Sequence, residues 1–272
     1  MSAVKRRHAR FCNIARLFAL LVLFGCCFGP GSSGARVDDT GGCKLRVAWD
    51  PYEPYSYSDG TDTQVGFDID VVSKIAEMIG CSLTFTEMEW GDILTALRNG
   101  QADITIGTGY KLDRAAWSYY SESYRKEIIG LLMRAGTAAE FVGGSLDDIF
   151  KTGFIFGKTT DDTYDQEVNA VFERYPTQAL RPVTEEQNIG RLLGGSIDGF
   201  LIEMNVAGAL VRKLEAGQKL EFHPLTFEAG DYRLQMSKKT VAVDLVVQIN
   251  EAIQQLKSDG WFAGTLQKYV VR

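Results

Sequence analysis

Arg114 stands five residues after Gly109 in the stretch IGTGYKLDRAAWSYYSESY, which spans residues 106–124. A guanidinium is planar and permanently charged, and it holds a carboxylate through two parallel hydrogen bonds that an ammonium cannot match. Gly107 and Gly109, flanking Thr108, let a ligand approach the backbone closely. Tyr119, Tyr120 and Tyr124 follow at once. The combination suits a pocket for a small anion, and taken alone it equally suits a surface loop leading into an aromatic core strand. A second set of charges lies further along. GKTTDD, residues 157–162, leads from a strand into a helix start, where free amides and the helix dipole favour an anion. Asp161 and Asp162 could occupy that place instead. Glu203 closes the apolar run IDGFLIE and could accept hydrogen bonds from an ammonium.

Other chemistries lack residues. His8 and His223 are the only histidines, and His223 lies in EFHPL, which reads as an ordinary strand. No Cys-x-x-Cys, His-x-x-x-His or Gly-x-x-x-x-Gly-Lys pattern occurs, so neither a metal, a P-loop nor another cofactor is expected. GTGYKL lacks the third glycine of a dinucleotide fingerprint. The net charge is −6, and basic residues cluster only at the N-terminus, which argues against nucleic acid as a partner.

The elements that would position these groups come in a regular order. MSAVKRRHAR followed by the twelve apolar residues LFALLVLFGCCF reads as an export signal over residues 1–25, since about 20 residues are needed to span a bilayer as a helix. Leu23-Phe24-Gly25-Cys26 resembles a lipobox, which would place a lipid anchor on Cys26; Ser33-Gly34-Ala35 would suit an ordinary signal peptidase. Cleavage before Cys26 removes five basic residues and no acid, taking the net charge from −6 to −11. Residues 26–43 form a flexible, Gly/Ser-rich linker. The location is then periplasmic or otherwise extracytoplasmic.

From Lys44 strands and helices alternate, predicting a parallel α/β sheet. KLRVAW, SLTFTEM and ADITIG read as strands, GFDIDVVSKIAEMIG and DILTALRNG as helices. A second β/α set begins after the strand EIIGLLMR. In it FIFG is a strand, TTDDTYDQEVNAVFERYP a helix, Thr184 with Gln187 a capping box, and Asn205 the cap of VAGALVRKLEAG. Two such units suggest two lobes with a cleft between them. Cys43 and Cys81 each precede a strand; if those strands are parallel neighbours, a disulfide is geometrically possible in an oxidising compartment, the alternative being two free thiols.

From Lys44 to Tyr269 the motifs fall in an order similar to the family 3 extracellular solute-binding proteins, the amino-acid-binding subunits of ABC importers. LRVAWDPYEPYSY resembles that family's opening strand and Tyr-x-Pro-Phe loop, and GFDIDVVSKIAEMIG its Gly-Phe-Asp-x-Asp helix. The pattern W…LTALRNGQADI, Arg114 with YYSESY, SLDDIFKTG, GGSIDGFLIE and LKSDGWFAGTLQKY complete the series. The resemblance implies an α/β, two-lobed type II periplasmic-binding-protein fold that closes on its ligand about two hinge strands, near Leu132 and Ala229. Residues 44–133 plus 229–272 would make the first lobe and 134–228 the second. Arg114 would bind the ligand's α-carboxylate and Glu203 its α-ammonium. Thr159 or Thr160 would donate from the second lobe, Gly107 and Gly109 from the first, and Tyr52, Tyr55 and Trp90 would wall the side-chain pocket.

Gly109, Lys111 and Lys158 stand where hydroxyl residues are usual in the family, which suits a ligand with more than one anionic group. The implied protein is a monomer that captures an amino acid or related carboxylate for an ABC permease. Two other readings of the same clamp are a sensor without transport and a lyase similar to cyclohexadienyl dehydratase, for which Glu203 is the one candidate acid.

Overall fold

A computed structural model describes residues 42–160 and 166–270. The signal segment, Cys26, Ser33–Ala35, nearly all of the linker, and Asp161 and Asp162 lie outside the described residues. The first half runs through β1 (Cys43–Trp49), the short pair β2 (Tyr57–Ser58) and β3 (Gln64–Val65), α1 (Phe67–Met78) and β4 (Cys81–Glu87). It continues with α2 (Trp90–Asn99), β5 (Ile104–Gly109), α3 (Leu112–Ala115), β6 (Ser118–Tyr120) and β7 (Arg125–Arg134). The second half contains α4 (Leu146–Lys151), β8 (Phe156–Thr159), α5 (Gln166–Arg174), β9 (Ala179–Val183), α6 (Glu185–Leu193), β10 (Gly199–Glu203) and α7 (Met204–Lys213). The chain returns along β11 (Leu220–Ser237) and closes with α8 (Val243–Ser258) and α9 (Trp261–Val270).

The strands are hydrogen-bonded in the order β4-β1-β5-β11-β7-β10-β8-β9, with β6 also paired to β11. β1 lies parallel to β4 and β5, and β8 parallel to β9 and β10, as expected of β/α units. The long strands β7 and β11 run antiparallel through both halves. β11 pairs with β5 at its C-terminal end, and β7 pairs with β10 from Ile129 to Met133. Their own ladder carries register shifts between Phe222 and Thr226 and between Glu228 and Gly230, so the second brackets Ala229. Such shifts kink a ladder locally.

Local sequence explains most of the elements. In α1, Ile69, Val72, Ile75 and Ala76 recur at helical spacing and are buried. Gly66 begins that helix at φ 127°, and a Cβ there would lie 2.3 Å from the Tyr55 carbonyl oxygen. That close approach fixes the Tyr55 loop over the N-terminus of α1, where the Asp68 amide donates to the same oxygen at 2.8 Å. Phe150, Phe154 and Phe156 are fully buried together with Leu131 and Met133, giving the second half its own core. Each such side chain contributes about 1.5–3 kcal/mol on burial. The β1–β4 register sets Cys43 directly opposite Cys81, and the two are joined by a disulfide with Cα atoms 4.5 Å apart.

Two local expectations need correction, and a third, the strand at EFHPL, holds and extends further. The strand read at FIFG is β8, displaced two residues onward, because Phe154 is taken into the core against Phe141. EFHPL is the start of an 18-residue strand, since the bulges absorb the interruptions at Pro224 and Gly230. Asn205 does not cap α7. Glu203 does, its carboxylate accepting from the amides of Asn205 at 2.8 Å and Val206 at 2.9 Å.

Candidate functional site

The ends of β5 and β10 and the middle of β7 and β11 border a cavity of about 700 Å³. Its first wall is the chain from Gly107 through Lys111 to Arg114. Arg114 belongs to the four-residue helix α3, and its guanidinium lies 5.2 Å from the centre of the Trp90 ring. Among the described residues it has no carboxylate partner within salt-bridge distance. An unpaired guanidinium resting on an aromatic face at a cavity wall is available for an anion.

The same cavity is bordered by Glu203, only 2% exposed. The two α7 amides share its carboxylate with Asn205, whose Nδ2 donates to Oε1 at 3.3 Å and to the Tyr55 hydroxyl at 2.9 Å. Burial pushes the Glu203 carboxyl above the usual range; the amide bonds oppose this, and the neighbouring Glu127 charge reinforces it.

Behind Glu127 and Tyr232 on the cavity wall sits a cluster that rests on Arg125. Its guanidinium, with a side chain 4% exposed, donates to both oxygens of Asp68, at 2.9 and 3.0 Å, and also to Glu127. Its flat faces lie 3.7 Å from the Tyr55 ring centre and 4.4 Å from that of Tyr232. Burial alone would lower the arginine's pKa, but the charges of Asp68 and Glu127 outweigh it and raise the pKa above the ordinary value. Gly107 is pressed against this pair: at φ 62°, a Cβ would come within 2.7 Å of Asp68 Oδ2. Burial also pushes the Asp50 carboxyl, at the end of β1, up to about 6, with Glu89 adding to the shift against a backbone hydrogen bond.

The family described as bacterial extracellular solute-binding proteins, family 3, matches residues 45–272. The chain belongs to that family. A probable histidine-binding protein of Neisseria gonorrhoeae is 24% identical over 261 residues, covering 95% of this chain and 94% of its own. The L-cystine-binding protein TcyA of Bacillus subtilis (strain 168) is 21% identical over 224 residues, 80% of this chain and 77% of its own. An ancestral arginine-binding protein solved with arginine superposes with a TM-score of 0.65 at 24% identity, covering 83% of this chain and 97% of that one. The fold is therefore the two-lobed periplasmic-binding-protein fold. This family 3 protein is a solute-binding protein of a family that works outside the cytoplasm. No helix among its described residues is long and apolar enough to cross a membrane.

In this solute-binding protein, Arg114, Glu203, Gly107, Gly109, Tyr52 and Trp90 all border the cavity. Tyr55 lies one layer behind, stacked on Tyr52 with ring centres 5.7 Å apart. Thr159 and Thr160 are not on the cavity wall. Thr159 is buried, with Asn188 Nδ2 3.3 Å from its hydroxyl, and the Thr160 amide donates to the Val183 carbonyl at 2.9 Å. The Gly107 amide is likewise engaged, donating to the Tyr124 hydroxyl at 2.8 Å. Lys158 lies over the Phe172 ring at 5.0 Å, away from the cavity wall. His223 is a packed strand residue: its Nδ1 accepts from the Leu225 amide, leaving Nε2 to donate to the Phe141 carbonyl. Sequence reasoning missed Asp68, Arg125, Glu127 and Tyr232. Arg125 and Glu127 share one face of β7 directly after Tyr124, and two opposite charges at that spacing were the available signal.

Proposed function

We propose that this protein captures an amino acid or a close derivative by closing its lobes, and that it delivers the ligand to an ABC permease. The observation that carries this reading is one cavity bordered both by Arg114, unpaired among the described residues, and by the buried Glu203 carboxylate. A zwitterion presents one group to each of these opposite charges, and relatives named for histidine and L-cystine agree in class. Gly109, Lys111 and Arg114 receive the carboxylate, Glu203 the ammonium, and Tyr52 with Trp90 flank the side chain.

The lobes exchange where β7 and β11 leave one set of partners for the other. Residues 44–128 plus 229–270 form one lobe, slightly shorter on β7 than a hinge at Leu132 implies, because pairing with β10 already begins at Ile129. The protein acts as a monomer, tethered outside the cytoplasm by a lipid on Cys26, and it returns its ligand unchanged. Thermal-shift measurements on the protein with the twenty amino acids test the reading, since binding to the folded state raises the melting temperature by mass action. A shift with a subset of them is expected, lost in Arg114→Ala. No shift with any amino acid overturns it.

A further inference from the structure

Arg114 is carried by very little structure. α3 is four residues long, and no side chain caps its N-terminus. So short a helix cannot satisfy the carbonyls at its own C-terminal end. Side chains from outside it do so. Ser118 Oγ donates to the Arg114 carbonyl at 2.8 Å, beside the Trp117 amide at 3.1 Å. Lys238, itself exposed, donates to the carbonyls of Ala115 and Ala116.

Ser118 is buried and is held in turn from behind. Gln235 of β11, with 0% of its surface exposed, donates from Nε2 to Ser118 Oγ at 3.0 Å. The Ser118 hydroxyl has one proton and gives it to Arg114, so Gln235 must present its NH2 group and not its carbonyl. Its Oε1 is then buried with no hydrogen-bond partner among the described residues, as is the hydroxyl of Thr105, its ladder neighbour on β5. An unpaired buried acceptor is unfavourable, and an apolar side chain would fill the same place without that cost. Stability therefore does not account for a glutamine here, whereas its bond to Ser118 does.

We propose that Gln235 is a positioning residue for Arg114: through Ser118 it fixes the end of α3, and with it the direction of the guanidinium at the cavity wall. This rests on the reading of Arg114 as the group that holds the ligand's carboxylate. A bidentate guanidinium–carboxylate pair is sensitive to direction, and Trp90 supports only one face of the guanidinium. Neither Ser118 nor Gln235 borders the cavity, so both act at second hand. The relay fastens the carboxylate site to β11, the strand that also pairs with β7 across the middle of the molecule.

The test is isothermal titration of the exported protein with the L-amino acid that raises its melting temperature most, and with the methyl ester of that amino acid. Gln235→Leu is expected to weaken binding of the free acid about tenfold and of the ester less than about twofold. The urea midpoint should stay in place or rise, since an unpaired buried acceptor is removed. Ser118→Ala cuts the same link from the other side and should weaken the acid selectively too. In an Arg114→Ala background neither substitution should add a further loss. Unchanged affinity in both variants, equal losses for acid and ester, or losses that persist without Arg114 overturn the inference and leave the carboxylate reading standing. Failure of both variants to fold overturns it as well, because the role would then be structural. Hydrogen exchange at the Ala115 and Trp117 amides, which donate to the Lys111 and Arg114 carbonyls, needs no ligand. It should quicken about tenfold in either variant, and unchanged exchange contradicts the tether. If no amino acid binds the unaltered protein, the amino-acid reading falls, and exchange still decides whether Gln235 holds α3.

Discussion

At one end of the cavity Arg114 comes from a four-residue helix, rests on Trp90 and has no partner carboxylate among the described residues. At the other, Asp68, Arg125, Glu127 and Glu203 are buried and tied together by α1, β7, β10 and the cap of α7. The first end is a charge held ready by local chain. The second is a charge cluster that also holds the lobes' strands and the Tyr55 loop in register. Losing Arg114 should therefore cost binding alone, and losing Arg125 or Asp68 should cost the fold.

The largest effect is expected at Arg125. Arg125→Met leaves Asp68 and Glu127 buried without their cation and should destabilise the protein by about 3–5 kcal/mol in urea denaturation. A loss below 1 kcal/mol would show that the cluster is not structural. Arg114→Ala should weaken ligand binding by about 3 kcal/mol in calorimetry while the urea midpoint stays in place. A shifted midpoint would erase the contrast between the two ends. A pH dependence sharpens it further. Burial raises the Asp50 carboxyl to about 6, so the folded state keeps a proton that the unfolded chain has released. Stability contributed by this group is full below about pH 4 and falls as pH rises to about 6. Asp50→Asn should flatten that segment and stabilise the protein by about 1–2 kcal/mol at neutral pH. The smallest effect is at Trp90→Leu, which removes the ring beneath Arg114 and should weaken binding by about 0.5–1 kcal/mol.

The same contrast explains what the sequence made legible. Arg114 sits inside a local motif with its glycines and tyrosines, and the likeness of that motif to family 3 proteins, not spacing alone, marks it. Glu203 ends an apolar strand and is conspicuous for that reason. Arg125 is invisible locally, because Asp68 lies 57 residues away and Arg-Lys-Glu at a strand start reads as a solvent face. The β/α order, the helix faces and the capping box at Thr184 follow from periodicity and from hydrogen-bond needs within a few residues. The length of β11 does not, since Pro224 and Gly230 look like breaks until the partner strand shows that bulges absorb them. Thr159 and Thr160 carry the right chemistry at the right place in the chain, yet one is folded under Asn188 and the other is bound to β9. Which side of a strand end a hydroxyl takes depends on neighbours that spacing does not specify.

One calorimetric cycle decides whether Arg114 holds the ligand's carboxylate. The best-binding amino acid and its methyl ester are titrated into wild-type protein and into Arg114→Ala. If Arg114 holds the carboxylate, wild type discriminates strongly against the ester and the variant does not, so the two changes are non-additive. Equal discrimination in both proteins would mean that the carboxylate is held elsewhere, and the site described here would be wrong at its most legible residue.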